Sequence, residues 1–150
     1  MLSPKEREKQ AKQARTIIIL SGVLLLLGGL INITTFTSWI KEGPLGSAYT
    51  ILASSIAVLL GGLAVIAGGY GLPEGKFLDG ISLGYSLSLL GFIGTTFAGA
   101  LFHAVNVGKI SILFFTSLIL EFLGLLFGLY ILLVVSVNLL KTFLFPTLPK

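Results

Sequence analysis

ISILFFTSLILEFLGLLFGLYILLVVSVNLL, residues 110–140, carries a single formal charge, the carboxylate of Glu121. At 1.5 Å per helical residue the stretch exceeds the ~30 Å hydrocarbon core of a bilayer, so it reads as a membrane-spanning helix. A carboxylate near the bilayer centre costs roughly 2.5 to 3.5 kcal/mol on insertion scales. Glu121 therefore calls for a partner, a wet cavity or a task.

Working outward, three more apolar runs appear, which predicts spans at about 16–40, 48–71, 81–104 and 110–137. The chain has 150 residues, 55% hydrophobic and 11% charged, with a mean hydropathy of +1.02, outside the range of soluble domains. The expected fold is all-α: an antiparallel four-helix transmembrane bundle over residues 16–140, with a basic helical extension at 1–15 and a short tail at 141–150. The connectors are brief, so consecutive helices are expected to be antiparallel neighbours.

The net charge of +4 comes mostly from Lys5, Arg7, Lys9, Lys12 and Arg15. This cluster contains no aromatic residue and directly precedes an apolar run, which argues against nucleic-acid binding. It reads instead as a topology anchor that places both termini in the cytoplasm of a multi-pass cell-membrane protein, with lipid headgroups or an acidic partner as its contacts. Ser3-Pro4-Lys5-Glu6 has the pattern of a capping box and predicts that a helix begins there.

There are no cysteines and one histidine, which excludes disulfides, thiolate metal sites and cysteine nucleophiles within this chain. Neither a hydrolase triad nor a phosphate loop can be assembled from the sequence, so no enzyme activity and no cofactor is expected beyond bound lipid. Haem or quinone held at an interface through His103 is the weakest alternative, because a lone histidine needs a ligand from another chain. The scarcity of Met, Gln and Asn leans towards a thermophile composition.

Each span has glycine near its midpoint: Gly28 and Gly29, Gly61 and Gly62, Gly91 and Gly94, then Gly124, followed by Gly128. Helices in lipid associate through close backbone approach at small residues, so these positions are expected to form the helix contacts. Leu26-Leu27-Gly28-Gly29-Leu30 recurs as Leu59-Leu60-Gly61-Gly62-Leu63, which reads as a packing need shared by antiparallel helices. Trp39, Tyr49 and Phe102 fall at the expected outer boundary, where an aromatic belt would stand.

Ser117, Glu121, Gly124 and Gly128 lie on one helical stripe. Glu121 should therefore face other helices rather than lipid. Asn32, Thr95, Thr96, Ser117 and His103 all fall in the outward halves of their helices, predicting a polar cleft that opens outward with Glu121 at its floor. A carboxyl that merely donates to a neighbouring helix, worth about 0.6 and at most about 2 kcal/mol, is the competing reading.

Glu121 with Gly128-Leu129-Tyr130, and the loop Gly75-Lys76-Phe77-Leu78-Asp79-Gly80, resemble fragments of the four-span proteolipid of rotary ATPases. That resemblance implies a proton-carrying Glu121. The chain departs from the family in lacking its dense alternating glycines, and its similar loop precedes the third helix while the carboxylate is on the fourth. Three functions are thus expected in order: a non-catalytic accessory subunit or self-assembling protomer of a larger, energy-transducing membrane complex; a proton, ion or solute channel or carrier using Glu121; and a quinone- or haem-linked redox subunit.

Overall fold

The computed structural model describes residues 3–71, 78–106 and 110–144. It is helical throughout, with no strand among the described residues: α1 Pro4–Glu42, α2 Leu45–Tyr70, α3 Leu78–Val105 and α4 Ile112–Leu144. All four are long and apolar enough to span a membrane. The predicted extension and first span form one continuous helix, and α4 runs past its expected end. Lys76, the turn beyond Gly71, Gly108, Lys109 and Lys150 lie outside the described residues.

α1 begins at the capping box. The Ser3 N–H donates to Glu6 Oε2 at 2.7 Å, and the Glu6 N–H donates to Ser3 Oγ at 3.3 Å. The helix ends at Gly43, whose N–H donates to the Trp39 carbonyl, and Pro44 caps the start of α2. Proline cannot continue the first helix but suits the start of the second, so the reversal is tight.

The helices stand in the order α4, α1, α2, α3, with α3 and α4 the least engaged of the neighbouring pairs. The α1–α2 and α2–α3 pairs are the most engaged, as expected of consecutive helices; the departure is α4, which packs chiefly on α1 and only slightly on α3. A glycine doublet explains the order. Adjacent helical residues point about 100° apart, so one doublet can serve two neighbours. On α1, Gly28 faces Glu121 of α4 and Gly29 faces Leu59 of α2. On α2, Gly62 faces Leu26 of α1 and Gly61 faces Gly84 and Ser88 of α3. A methyl at Gly61 would meet the Gly84 carbonyl oxygen at 2.5 Å, and one at Gly62 would meet the Gly22 carbonyl oxygen at 2.9 Å. Both approaches are closer than any side chain tolerates.

These contacts repeat in register. The shift that carries Gly28 to Gly61 also carries Ser21 to Ser54, Leu25 to Val58, Gly91 to Gly124, Ser88 to Glu121 and Gly84 to Ser117. Gly124 lies against Leu25 and the Ser21 carbonyl, while Gly91 lies against Val58 and the Ser54 carbonyl. The packing is therefore related to itself by an approximate twofold that exchanges α1 with α2 and α3 with α4. The recurring Leu-Leu-Gly-Gly-Leu motif is the centre of this relation, each copy receiving a leucine of the other.

Candidate functional site: a closed polar seat around Glu121

Glu121 is fully buried at 0% exposure, as are Asn32, Thr95 and Ser117. Helix spacing delivers all four to one place. On α4, Ser117 stands one turn from Glu121, with Gly124 on the same stripe; α1 contributes Asn32 one turn beyond Gly28; α3 contributes Thr95. Gly28 is what lets the carboxylate side chain lie between α1 and α4, since a methyl there would stand 2.7 Å from Glu121 Cγ and 3.1 Å from the Ser117 carbonyl oxygen.

Asn32 organises the seat. Its Nδ2 donates to Glu121 Oε1 at 2.5 Å and to Thr95 Oγ1 at 3.3 Å, while its Oδ1 accepts from Ser117 Oγ at 2.5 Å. Both amide protons and the amide oxygen are thus engaged. The Ser117 hydroxyl also lies 2.7 Å from the Phe114 carbonyl, so its single proton is shared between two acceptors. The Thr95 hydroxyl borders the Glu121 carboxyl, yet Glu121 Oε2 closes no hydrogen bond although it is buried. The only other buried side-chain polar atom without a partner among the described residues is Ser88 Oγ. Ser88 is the residue that the approximate twofold exchanges with Glu121.

The seat does not open towards the α1–α2 turn. Trp39, Phe102 and Phe114, which lie beyond Asn32, Thr95 and Ser117 on their respective helices, close that side as one buried cluster with Ala48, Ile51 and Ala98. The Trp39 and Phe102 rings stack 4.2 Å apart at 9°, and Phe114 leans on Trp39 at 5.1 Å. Gly43 makes room for the Phe102 ring and Gly99 for the Phe114 ring, each occupying the space a β-carbon would need. The expected aromatic belt is therefore divided. Trp39 is 2% exposed and Phe102 fully buried, whereas Tyr49 is 59% exposed.

No protein family, curated protein or solved structure matches the chain. The proteolipid resemblance of isolated fragments consequently gains no relative, and the functional reading rests on the geometry.

Several predicted residues fall elsewhere. Thr96 is exposed and donates to the Phe92 carbonyl of its own helix. His103 is exposed in the last turn of α3, apart from the seat. The hydroxyls of Thr34, Thr37 and Thr116 likewise donate to carbonyls of their own helices. Each of these outer-half hydroxyls satisfies itself locally.

A second network lies towards the end where α1 begins. Tyr85 Oη donates to Ser21 Oγ at 2.8 Å, and Ser21 Oγ donates to the Gly124 carbonyl at 2.7 Å, tying α3, α1 and α4 together. Sequence reasoning missed this link. The available signal was that Ser21 shares a face with Leu25, Gly28 and Asn32. Gly94 faces Ser54 on α2, and Gly128 receives the Tyr85 ring. Between α3 and α4 on this side runs an apolar groove of about 460 Å³, with Leu89, Phe92, Phe122 and Leu125 among the residues that line it.

Proposed function

We propose that the chain is a non-catalytic accessory subunit or self-assembling protomer of a larger membrane complex, its helices inserted as an antiparallel bundle with both termini cytoplasmic. The closed seat carries this reading. The one acidic side chain at mid-helix depth is held by Asn32 and sealed beneath Trp39, Phe102 and Phe114, where it joins α1, α3 and α4. Interhelical hydrogen bonds and glycine contacts are the means by which helices associate in lipid, where apolar side chains gain nothing by leaving the acyl chains. The α3–α4 groove, where Ser86 and Gly128 stand among leucines and phenylalanines, has the mix of small and large residues onto which a further helix packs.

The cysteine-free sequence makes the test direct. A single Leu129→Cys in that groove, cross-linked in native membranes, is expected to yield an adduct with a second copy or another subunit. Recovery of a monomer alone, in mild detergent and after cross-linking, would overturn the reading.

A second reading, a proton or ion carrier with Glu121 as its site, is favoured by the buried and unpartnered Oε2. In reconstituted vesicles that reading requires Glu121→Gln to abolish a flux while leaving assembly intact. An absence of flux in the wild-type protein would remove it.

A further inference from the structure

One stripe of α1 changes character along its length. Lys5, Lys9, Lys12 and Thr16 follow one another at helical spacing, and the same stripe continues as Leu20, Val23, Leu27 and Leu30. All four apolar residues are exposed. At its basic end the stripe borders a hollow of about 740 Å³, which Lys5, Lys9 and Lys12 share with Ile17 and with Tyr130 of α4. Glu8 tempers the charge through its 2.8 Å ion pair with Lys12. Arg15 is turned away from the hollow, 5.2 Å over the Tyr70 ring.

We propose that this hollow binds the phosphate of an anionic membrane phospholipid whose acyl chain lies along Leu20, Val23 and Leu27. The inference rests on the reading of α1 as membrane-inserted. A free anion would match only the lysines, and an apolar helix only the leucines. A phospholipid matches both in the order they occur. Lys12 stands one turn, about 6 Å, above Thr16, close to the thickness of the headgroup layer on one side of a bilayer. Lysine stems also reach along apolar surface to place their charge at that level.

The test uses the full chain in nanodiscs of equal phosphatidylglycerol and phosphatidylcholine, with the lipid retained on release read by native mass spectrometry. The wild-type protein is expected to retain phosphatidylglycerol preferentially. The triple variant Lys5→Gln, Lys9→Gln, Lys12→Gln is expected to lower that preference roughly 30-fold, the size three basic side chains supply at a lipid surface after the opposing Glu8 is allowed for. Lys41→Gln, at the other end of α1, is expected to change nothing. Equal retention by wild type and triple variant would overturn the proposal alone. Displacement of the lipid by free glycerol 3-phosphate at comparable concentration would also overturn it, by assigning the lysines to a soluble anion. Failure of the wild-type chain to enter the nanodisc would overturn the membrane reading together with it.

Discussion

Replacing Asn32 by leucine, a side chain of similar size, removes the residue at which the seat is joined. Three hydrogen bonds disappear at once, those to Glu121, Thr95 and Ser117. At the ~0.6 kcal/mol average measured for interhelical hydrogen bonds in lipid, their loss amounts to about 2 kcal/mol. The partners then differ in what they keep. Ser117 retains the Phe114 carbonyl, but Glu121 Oε1 joins Oε2 as a buried acceptor without a donor. An orphaned buried polar group adds about 1 to 3 kcal/mol, which brings the expected cost to about 3 to 5 kcal/mol. Ser117→Ala removes one of these bonds and leaves Asn32 Oδ1 as a buried acceptor without a donor, so it should cost about 2 to 4 kcal/mol, and the double variant should fall well short of the sum of the two, because Asn32→Leu already removes that bond and that acceptor. Sodium dodecyl sulfate titration in mixed micelles, followed by fluorescence, would measure all three. Thr34→Val serves as the control, since Thr34 is exposed and bonded within its own helix. If Asn32→Leu unfolds within about 0.5 kcal/mol of that control, the seat does not hold the helices and the reasoning fails.

Gly61→Ala forces a methyl against the Gly84 carbonyl and the Ser88 nitrogen, and should destabilise by about 1 to 2 kcal/mol after its helix-propensity gain. Gly46→Ala meets nothing within 4 Å and should be neutral or stabilising by up to about 1 kcal/mol in the same titration. Trp39 is the only tryptophan, so intrinsic fluorescence should be blue-shifted and resist acrylamide; Gly43→Val, which displaces the Phe102 ring, should red-shift it and admit the quencher. The Ser3 backbone N–H and hydroxyl hold the Glu6 carboxyl below its ordinary range. The capping contribution should therefore be complete above the ordinary glutamate value of about 4.3 and be lost as the pH falls through the lowered folded value. Faster amide exchange confined to the first turn of α1 at acid pH would report that loss, and unchanged exchange would contradict it.

The four long helices were legible because each apolar run exceeds what a bilayer or a buried core demands, and the Ser3 capping box was legible because its chemistry is local. The face of α4 was legible too: Ser117, Glu121, Gly124 and Gly128 are all buried, as helical periodicity requires. The neighbour order was harder to read. It depends on which glycine of each doublet turns to which partner, a rotation about the helix axis that loop lengths do not set. Thr95 and Thr96 could not both reach Glu121, since adjacent residues diverge by about 100°; spacing alone did not choose between them. Depth alone makes Trp39 a boundary residue. Its face told more, since Trp39 lies two turns beyond Asn32 on the same stripe, and Phe102 stands in the same relation to Thr95.

The exchange of α1 with α2 and of α3 with α4 turns the molecule upside down and returns the same glycine contacts, although Glu121 and Asn32 return as Ser88 and Val65. In a bilayer, glycine contacts of this kind are the same whichever way the molecule is inserted, and so give no preference between the two orientations. A sense of direction would then be written outside that packing, in the basic segment 1–15, whose described side chains are exposed or half-buried and whose sequence carries Lys5, Arg7, Lys9, Lys12 and Arg15. The part of the chain that adds least to the interior would decide which way the interior faces.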